Sequence, residues 1–228
     1  MTVNHVAIIL DGNRRYAKKH HLPLLKGHEK GADVAKNLLK WSSELGIKEV
    51  TLHTFSIQNF NRAQEEVGYL FKLAEGFFGN LIKASIEKNE ELFNSMKFTF
   101  IGRLTLFPKK IQDLANDLME KTKDNPGLKV NIAFGYGGRE EIIDAVNKII
   151  KKGIKQVDEN IISDNLYLKS EPDLIIRTSG EHRTSGFLPW QGAYSEWFFL
   201  KKTWPEFNKT DLQRILAEFA SRERRFGV

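Results

Sequence analysis

Segments that read as buried strands alternate with segments that read as amphipathic helices along most of the chain. Short apolar runs predict strands at residues 5–10, 48–55, 98–102, 128–134 and 173–177, with a further candidate at 197–200. Apolar residues spaced three and four apart predict helices at residues 27–45, 65–91, 108–123, 139–151, 158–168 and 209–221. Because strand–helix units repeat, we expect an α/β fold with an open, mainly parallel central sheet flanked by helices.

The bulk composition is consistent with one globular domain. The chain has 228 residues, enough for one sizeable core, and it shows no repeat, low-complexity tract or domain boundary. Cysteine is absent, which excludes a disulfide framework, a thiolate metal site and a cysteine nucleophile. We see no signal-peptide layout and no apolar run near the roughly 20 residues of a membrane-spanning helix. A cytoplasmic protein is therefore expected.

Four polar clusters follow predicted strands. They lie at residues 11–15, 56–62, 136–139 and 177–185. In open parallel sheets, ligands bind beyond the carboxyl ends of the strands. The arginines are concentrated in these turns, so the sequence predicts one shared cleft.

The first cluster reads Asp11-Gly12-Asn13-Arg14-Arg15. The planar guanidinium group of arginine suits phosphate oxygens, whereas a carboxylate repels them unless a cation lies between. Gly12 lets the backbone approach a ligand, and the N–H groups at the start of a helix can receive an anion. The pattern therefore indicates a diphosphate site with a divalent metal at Asp11. The alternative is that Asp11 only caps the following helix.

The last cluster carries Arg177, His182, Arg183 and Ser185, which together suit a second diphosphate. Glu196 follows and is predicted to reach the same metal as Asp11. Taken alone, His182 is more typical of a structural histidine. The loop at 56–62 has a similar alternative, a turn held by capping residues.

A broad apolar band runs along the helix predicted at 65–91. Its members are Val67, Leu70, Phe71, Ala74, Phe77, Phe78, Leu81 and Ile82. Such a band is typical of ordinary core packing. Beside a diphosphate site, it also suits a tunnel for a long hydrocarbon.

The formal net charge is +6 and the pI is about 9.3, which favours anionic partners. A nucleic-acid-binding protein needs a basic stripe interleaved with aromatic residues. Here the arginines lie in discrete strand-end turns, so we expect phosphorylated substrates and no nucleic acid.

Several long motifs occur in an order that resembles the cis-prenyltransferase family, of the undecaprenyl diphosphate synthase type. They run from residues 5–15 through Gly27-His28, Asn59 with Arg62, 136–139, 177–183 and 190–196 to Arg225-Phe226-Gly227. The resemblance implies a single catalytic domain over residues 1–228. It also implies an enzyme that condenses an allylic diphosphate primer, farnesyl or geranylgeranyl diphosphate, with successive isopentenyl diphosphates to form a cis-polyprenyl carrier-lipid precursor.

The resemblance also implies roles for individual residues. Asp11 would bind Mg²⁺ with His182 and Glu196, and Asn59 would assist proton removal. The residues implied to bind the allylic diphosphate or shape its site are Gly12, Asn13, Arg14, Arg15, Tyr16, His28, Ser56, Phe60 and Arg62. The residues implied to hold isopentenyl diphosphate are Arg177, Arg183, Thr184 and Ser185. The tunnel would be lined by Leu70, Phe71, Ala74, Phe77, Phe78 and Leu81.

Members of this family are dimers, so a homodimer is expected, with Arg225 and Gly227 reaching the site of the partner subunit. Peripheral membrane contact for product release is also considered. The alternative function is a non-catalytic or partner-dependent subunit of a two-component prenyltransferase. Such subunits tend to lose the aspartate and arginines, whereas this chain keeps Asp11, Arg177 and Arg183.

Overall fold

A computed structural model describes residues 3–86 and 95–222 of the chain. Its centre is a sheet of six parallel strands in the order β3–β4–β2–β1–β5–β6. The strands are β1 (His5–Ile9), β2 (Glu49–Ser56), β3 (Lys97–Ile101), β4 (Lys129–Tyr136), β5 (Leu174–Arg177) and β6 (Glu196–Phe199). The predicted single-domain α/β class is confirmed, and the candidate strand near residue 197 is the sixth strand.

Helices cover both faces of the sheet. They are α1 (Asn13–Lys19), α2 (Leu24–Glu44), α3 (Gln64–Ile86), α4 (Lys109–Thr122), α5 (Gly138–Lys151), α6 (Glu159–Asn165) and α7 (Lys209–Ser221). Short 3₁₀ turns lie at Ile57–Asn61, Leu104–Leu106 and Trp204–Glu206. No helix within the described ranges is long and apolar enough to cross a membrane.

Burial on both faces explains the continuous apolar strands in the sequence. All five residues of β1 are buried, and their side chains alternate between two core clusters. Val6 and Ile8 belong to the larger cluster, while Ala7 and Ile9 belong to the smaller one on the opposite face. This period of two is expected for a strand that has helices on both sides.

Several helices differ from their predicted bounds; the helix predicted at 158–168, for example, is α6 at Glu159–Asn165. Helix α2 begins at Leu24, after Pro23 as the N-cap residue, and it ends before Gly46, whose φ of 77° lies in the left-handed region that commonly follows a helix. Helix α3 spans Gln64–Ile86, and residues 87–91 of the predicted helix lie outside the described residues.

Candidate active site

The register of the three central strands determines where the polar turns lie. Ile9 of β1 is paired with His53 of β2 on one side and with Arg177 of β5 on the other. All three strands are parallel, so the turns that follow them leave the same edge of the sheet.

Direct contacts join the turn after β1 to the turn after β5. Oδ2 of Asp11 lies 2.8 Å from Nη2 of Arg177, and the Thr178 hydroxyl donates to the carbonyl oxygen of Asp11 at 2.6 Å. Gly12 has a φ of 107°, and a Cβ atom there would lie 2.9 Å from Oγ of Ser179. Arg15 donates to the carbonyl oxygen of Ser179. The prediction that the two turns share one cleft is confirmed.

Arg177 lies at the floor of this cleft. Only 3% of the residue is exposed. Nη1 donates to Oγ of Ser185 at 2.8 Å and to the carbonyl oxygen of Arg183, while Nε is buried without a hydrogen-bond partner. A buried guanidinium group with an unused donor is suited to receive an anionic ligand.

Unpartnered buried polar atoms are concentrated in the cleft. Within residues 3–86 and 95–222, seven buried side-chain polar atoms lack a hydrogen-bond partner. The four that belong to cleft-lining residues are Asn13 Oδ1, His28 Nε2, His53 Nε2 and Arg177 Nε. Leaving such a group unsatisfied costs about 1–3 kcal/mol. A polar ligand that bonded to these atoms would remove that cost.

Two polar cavities divide the cleft. The α1 cavity, of about 430 Å³, is lined by the segment 10–15 together with Lys18, Leu24, His28 and Arg62. The β5 cavity, of about 330 Å³, is lined by Asp11, His53, Ser56, Asn59, Arg177, Arg183 and Ser185, among others. Asp11, Asn13, His28 and Arg62 line both cavities, so two anionic groups bound in them would be neighbours.

An apolar cavity of about 120 Å³ adjoins the polar ones. It shares Leu10, Asn13 and His28 with both polar cavities. Four of the predicted tunnel residues line it, namely Leu70, Ala74, Phe77 and Phe78, and Leu73, which was not predicted, lines it as well.

Two predicted tunnel residues do not line this cavity. The ring of Phe71 packs against Phe55, Phe60 and Phe107, with centroid distances of 5.4–6.1 Å. Leu81 is buried in the larger core cluster. Their tunnel assignment stays a prediction, because apolar periodicity along α3 does not by itself distinguish a cavity wall from core.

The 3₁₀ turn after β2 has both of the roles considered for it. Oδ1 of Asn59 accepts the backbone N–H of Ser56 at 3.1 Å, and the two residues form a capping box. Both residues also line the β5 cavity. Phe60 faces the aromatic cluster and Tyr16 stacks on His20 at 4.3 Å, and neither residue lines a polar cavity.

The predicted metal ligands do not come together within one chain. Glu196 is paired with Leu174 at the beginning of β6, whereas Asp11 follows the end of β1, so the two lie at opposite edges of the sheet. Oε2 of Glu196 instead lies 2.6 Å from Nη1 of Arg222. The prediction that Glu196 reaches the metal of Asp11 is therefore wrong for a single chain.

The remaining predicted residues of the last cluster lie in an exposed turn. The ring of His182 lies 4.9 Å from that of Phe199, and Thr184 is exposed, with its carbonyl oxygen accepting from Phe187. Arg225 and Gly227 lie outside the described residues.

His53 and Thr54 line the cleft but were not predicted to do so. The sequence gives them no distinct signal, because β2 contains other polar residues, among them Glu49 and Thr51. The His53 ring stacks on Phe187 with centroids 4.6 Å apart and meets Tyr136 edge-on at 5.9 Å.

Comparisons with known proteins agree with this geometry. The family model described as putative undecaprenyl diphosphate synthase matches residues 9–227. An isoprenyl transferase of Thermotoga maritima is 46% identical over 98% of this chain and 96% of that protein. An isoprenyl transferase of Rickettsia typhi is 42% identical over 99% of this chain and 98% of that protein.

The chain belongs to the undecaprenyl diphosphate synthase family.

Solved structures of related prenyltransferases share the fold. Lavandulyl diphosphate synthase from Lavandula x intermedia, in complex with dimethylallyl diphosphate, matches with a TM-score of 0.92 and 34% identity, covering 100% of this chain and 99% of that one. A probable undecaprenyl diphosphate synthase from Campylobacter jejuni matches with a TM-score of 0.82 and 30% identity, covering 100% of both chains. The protein is thus a prenyltransferase, and the family resemblance of its motifs is confirmed.

The residues of this prenyltransferase site would fit Mg²⁺ if phosphate oxygens and water completed its coordination. Within the described ranges, no group of three or more histidine, cysteine, aspartate or glutamate side chains could hold a metal ion. Mg²⁺ often binds through one or two carboxylates, with phosphate oxygens and water as the other ligands. The single carboxylate of Asp11, at the junction of the two polar cavities, fits that arrangement.

Burial lowers the pKa of three histidines in this prenyltransferase. Burial, followed by the positive charge of Arg177, lowers the pKa of His53 to about 4. Burial and then Arg62 lower the pKa of His28, and burial lowers the pKa of His5 at the other end of the sheet. The folded state therefore disfavours protonation of all three rings.

We expect the free energy of unfolding to fall as the pH is lowered below about 6.5. The unfolded chain then binds protons that the folded chain excludes, at a cost of up to about 1.4 kcal/mol per pH unit for each histidine. Urea unfolding at pH 7.0, 6.0 and 5.0 measures how the free energy of unfolding changes with pH. Most carboxylates titrate below this range and therefore contribute little to the change. His53→Gln should make the slope shallower. Unchanged stability between pH 7 and 5 would contradict the assignment.

Proposed function

We propose that this protein condenses an allylic diphosphate primer with successive isopentenyl diphosphates to give a long-chain cis-polyprenyl diphosphate, a precursor of carrier lipids. The observation that carries the proposal is the arrangement of the three cavities. Two basic cavities meet at Asp11, and an apolar cavity opens beside the same residues. Two diphosphates and one hydrocarbon chain have the chemistry that this arrangement suits.

The α1 cavity is assigned to the primer. Its diphosphate would receive the backbone N–H groups at the start of α1 and the guanidinium groups of Arg14, Arg15 and Arg62. These donors neutralise the charge that develops on the diphosphate as the allylic C–O bond breaks. Mg²⁺, held by Asp11 and phosphate oxygens, would supply further neutralisation of the leaving group. The apolar cavity would hold the hydrocarbon tail.

The β5 cavity is assigned to isopentenyl diphosphate. Arg177 would bind its diphosphate through Nε, which has no hydrogen-bond partner in the protein, with Arg183 and Ser185 beside it. Holding the alkene next to the allylic carbon supplies orientation, which can lower a barrier by several kcal/mol. The terminal alkene carbon C4 forms the new C–C bond as the allylic C–O bond breaks and the primer diphosphate leaves. The positive charge then lies on C3, and loss of a proton from C2 gives the new double bond.

Asn59 is proposed to assist that proton loss, as the family resemblance implies. It lines the β5 cavity, and its Oδ1 is already engaged by the backbone N–H of Ser56. An amide is a weak base, so Asn59 would act by orienting the departing proton rather than by storing it. The diphosphate oxygens nearby are the stronger proton acceptors.

Chain length is predicted to respond to a residue of α3 that lines the apolar cavity and not to a neighbouring residue that does not line it. Phe78 and Leu81 are each 3% exposed and lie three residues apart on α3, but only Phe78 lines the apolar cavity. Phe78→Ala enlarges the space for the growing chain, where each enclosed CH₂ gains about 0.8 kcal/mol. We expect longer products from Phe78→Ala and an unchanged product distribution from Leu81→Ala. Thin-layer chromatography of the dephosphorylated products measures both, and the reverse result would contradict the assignment of the cavity.

The function is tested by incubating the purified protein with labelled isopentenyl diphosphate, Mg²⁺ and either farnesyl or geranylgeranyl diphosphate. Apolar labelled products of several added units are expected with at least one primer. If the protein is instead a partner-dependent subunit, no product will form from the pure chain. Omission of Mg²⁺ is expected to abolish product formation, which tests the cofactor separately.

We also propose a homodimer, which the family resemblance implied. The exposed side chains of Ile143, Val146 and Ile150 lie three and four residues apart on one face of α5 and offer apolar area for a second copy. Sedimentation velocity should give a dimer for the wild type and more monomer for Ile150→Asp. A monomeric wild type would contradict the proposal. Membrane contact during product release stays a prediction.

A further inference from the structure

The segment Tyr136-Gly137-Gly138-Arg139 lies at the carboxyl edge of the sheet, yet none of its residues lines the polar cavities. Tyr136, the last residue of β4, is fully buried. Its ring lies edge-on to Phe187 at 5.9 Å, directly behind the cleft. The position of this segment suggests a supporting role rather than a binding one.

A buried carboxylate lies immediately behind Tyr136. Glu141, in the first turn of α5, is 1% exposed. Its Oε2 accepts from the Tyr136 hydroxyl at 2.5 Å, and Oε1 accepts from the backbone N–H groups of Tyr167 and Leu168 and from Nε2 of Gln191. No arginine or lysine contacts Glu141 within the described residues, so these four donors satisfy the carboxylate.

The Tyr136 oxygen also contacts the turn that follows β5. It accepts the backbone N–H of Leu188 at 3.2 Å while its own hydroxyl proton is given to Glu141. The carboxylate, the hydroxyl and the backbone N–H therefore form one directed chain. Because each bond polarises the next, the charge of Glu141 strengthens the hold of Tyr136 on Leu188.

The turn itself needs such a support. Ser185 and Leu188 have φ angles of 51° and 45°, in the left-handed region that non-glycine residues seldom adopt. A conformation of this kind persists only when its surroundings determine it. One side of the turn is held by Arg177, which donates to Ser185, and the other by Tyr136. The start of α5 packs tightly against the same turn, because a Cβ atom on Gly138 would clash with the carbonyl oxygen of Gly186.

We propose that Glu141, acting through the Tyr136 hydroxyl, positions the turn at residues 183–188 and thereby sets the affinity for isopentenyl diphosphate. This inference rests on the proposed function, in which Ser185 and Arg183 contact that substrate. Neither Glu141 nor Tyr136 touches a reacting atom, so both are positioning residues. The α1 cavity makes no use of this turn. Loss of the support therefore affects one substrate and leaves the primer unaffected.

The test is Tyr136→Phe, which removes one hydroxyl and keeps the ring edge-on to His53 and Phe187. We expect KM for isopentenyl diphosphate to rise about tenfold, as the loss of a charge-assisted hydrogen bond predicts. KM for the primer and kcat should change by less than about twofold, since the primer site is not contacted. Glu141→Gln, which keeps the shape of the side chain, should give the same split in KM values.

Tyr167→Phe is the matched control. Its hydroxyl also contacts a carboxylate of α5, Asp144, but that pair is joined to Arg103 and not to the turn. Both KM values should stay at the wild-type level in this variant. Equal rises in both KM values for Tyr136→Phe, or no rise, would overturn the inference. An inactive wild type would instead refute the proposed function, so the two failures are distinguishable.

Discussion

Replacing Asp11 by alanine is expected to lower kcat by at least about 10³-fold while the protein still folds. Asp11 is the carboxylate that lines both polar cavities and contacts Arg177 at 2.8 Å. Its loss would remove the proposed Mg²⁺ ligand and leave the primer diphosphate without a neutralised leaving group. The measurement is steady-state condensation at saturating concentrations of both substrates and Mg²⁺.

Glu181→Ala provides the control for Asp11→Ala. Glu181 also contributes a carboxylate beside cleft arginines, pairing with Arg15 and Arg183, but it lines neither polar cavity. Its removal should change kcat by less than about fivefold, as for an exposed ion pair. Circular dichroism melting curves of both variants separate loss of chemistry from loss of fold. Near-normal Mg²⁺-dependent turnover in Asp11→Ala would count heavily against the metal assignment.

Arg177→Ala is expected to raise KM for isopentenyl diphosphate about 50-fold and KM for the primer by less than about threefold. Arg177 lines the β5 cavity but not the α1 cavity, and its Nε has no partner within the protein. Charge-assisted hydrogen bonds to a diphosphate would be lost with no replacement. Initial rates with each substrate varied in turn measure the two constants.

The reciprocal variant is Arg14→Ala. Arg14 lines the α1 cavity but not the β5 cavity, so its removal should raise KM for the primer and spare that for isopentenyl diphosphate. Because Arg177 is buried against Asp11, the Arg177→Ala protein should also be less stable than Arg14→Ala. Equal effects of Arg177→Ala on both Michaelis constants would reverse the allocation of the two cavities.

The fold and the shared cleft could be predicted from the sequence because they depend on local patterns. A strand buried on both faces, such as β1, must be apolar throughout, and the residues that follow it must reach the edge of the sheet where ligands bind. Asp11 and Arg177 follow or end such strands, so their proximity follows once the strands are neighbours. The family resemblance added the order of the motifs to this reasoning.

The positions of several other residues could not be predicted, because they depend on strand register and on the packing of elements that are far apart in the sequence. Glu196 follows the last polar cluster in the sequence, but β6 begins at that residue, which places it at the far edge of the sheet. Phe71 and Leu81 are as apolar as Phe78, and only the placement of α3 over β2 and β4 distinguishes core from cavity. His53 was missed because a single polar residue within a strand has no pattern of its own.

The central claim is that two diphosphates bind side by side, one on the turn after β1 and the other on the turn after β5. A crystal structure with Mg²⁺, isopentenyl diphosphate and an unreactive thiolo analogue of the allylic primer tests this claim most directly. We predict the analogue at Gly12–Arg15 with its tail beside Phe77, and isopentenyl diphosphate at Arg177 and Ser185. A single diphosphate spanning both turns, or an isopentenyl group outside the β5 cavity, would contradict the account.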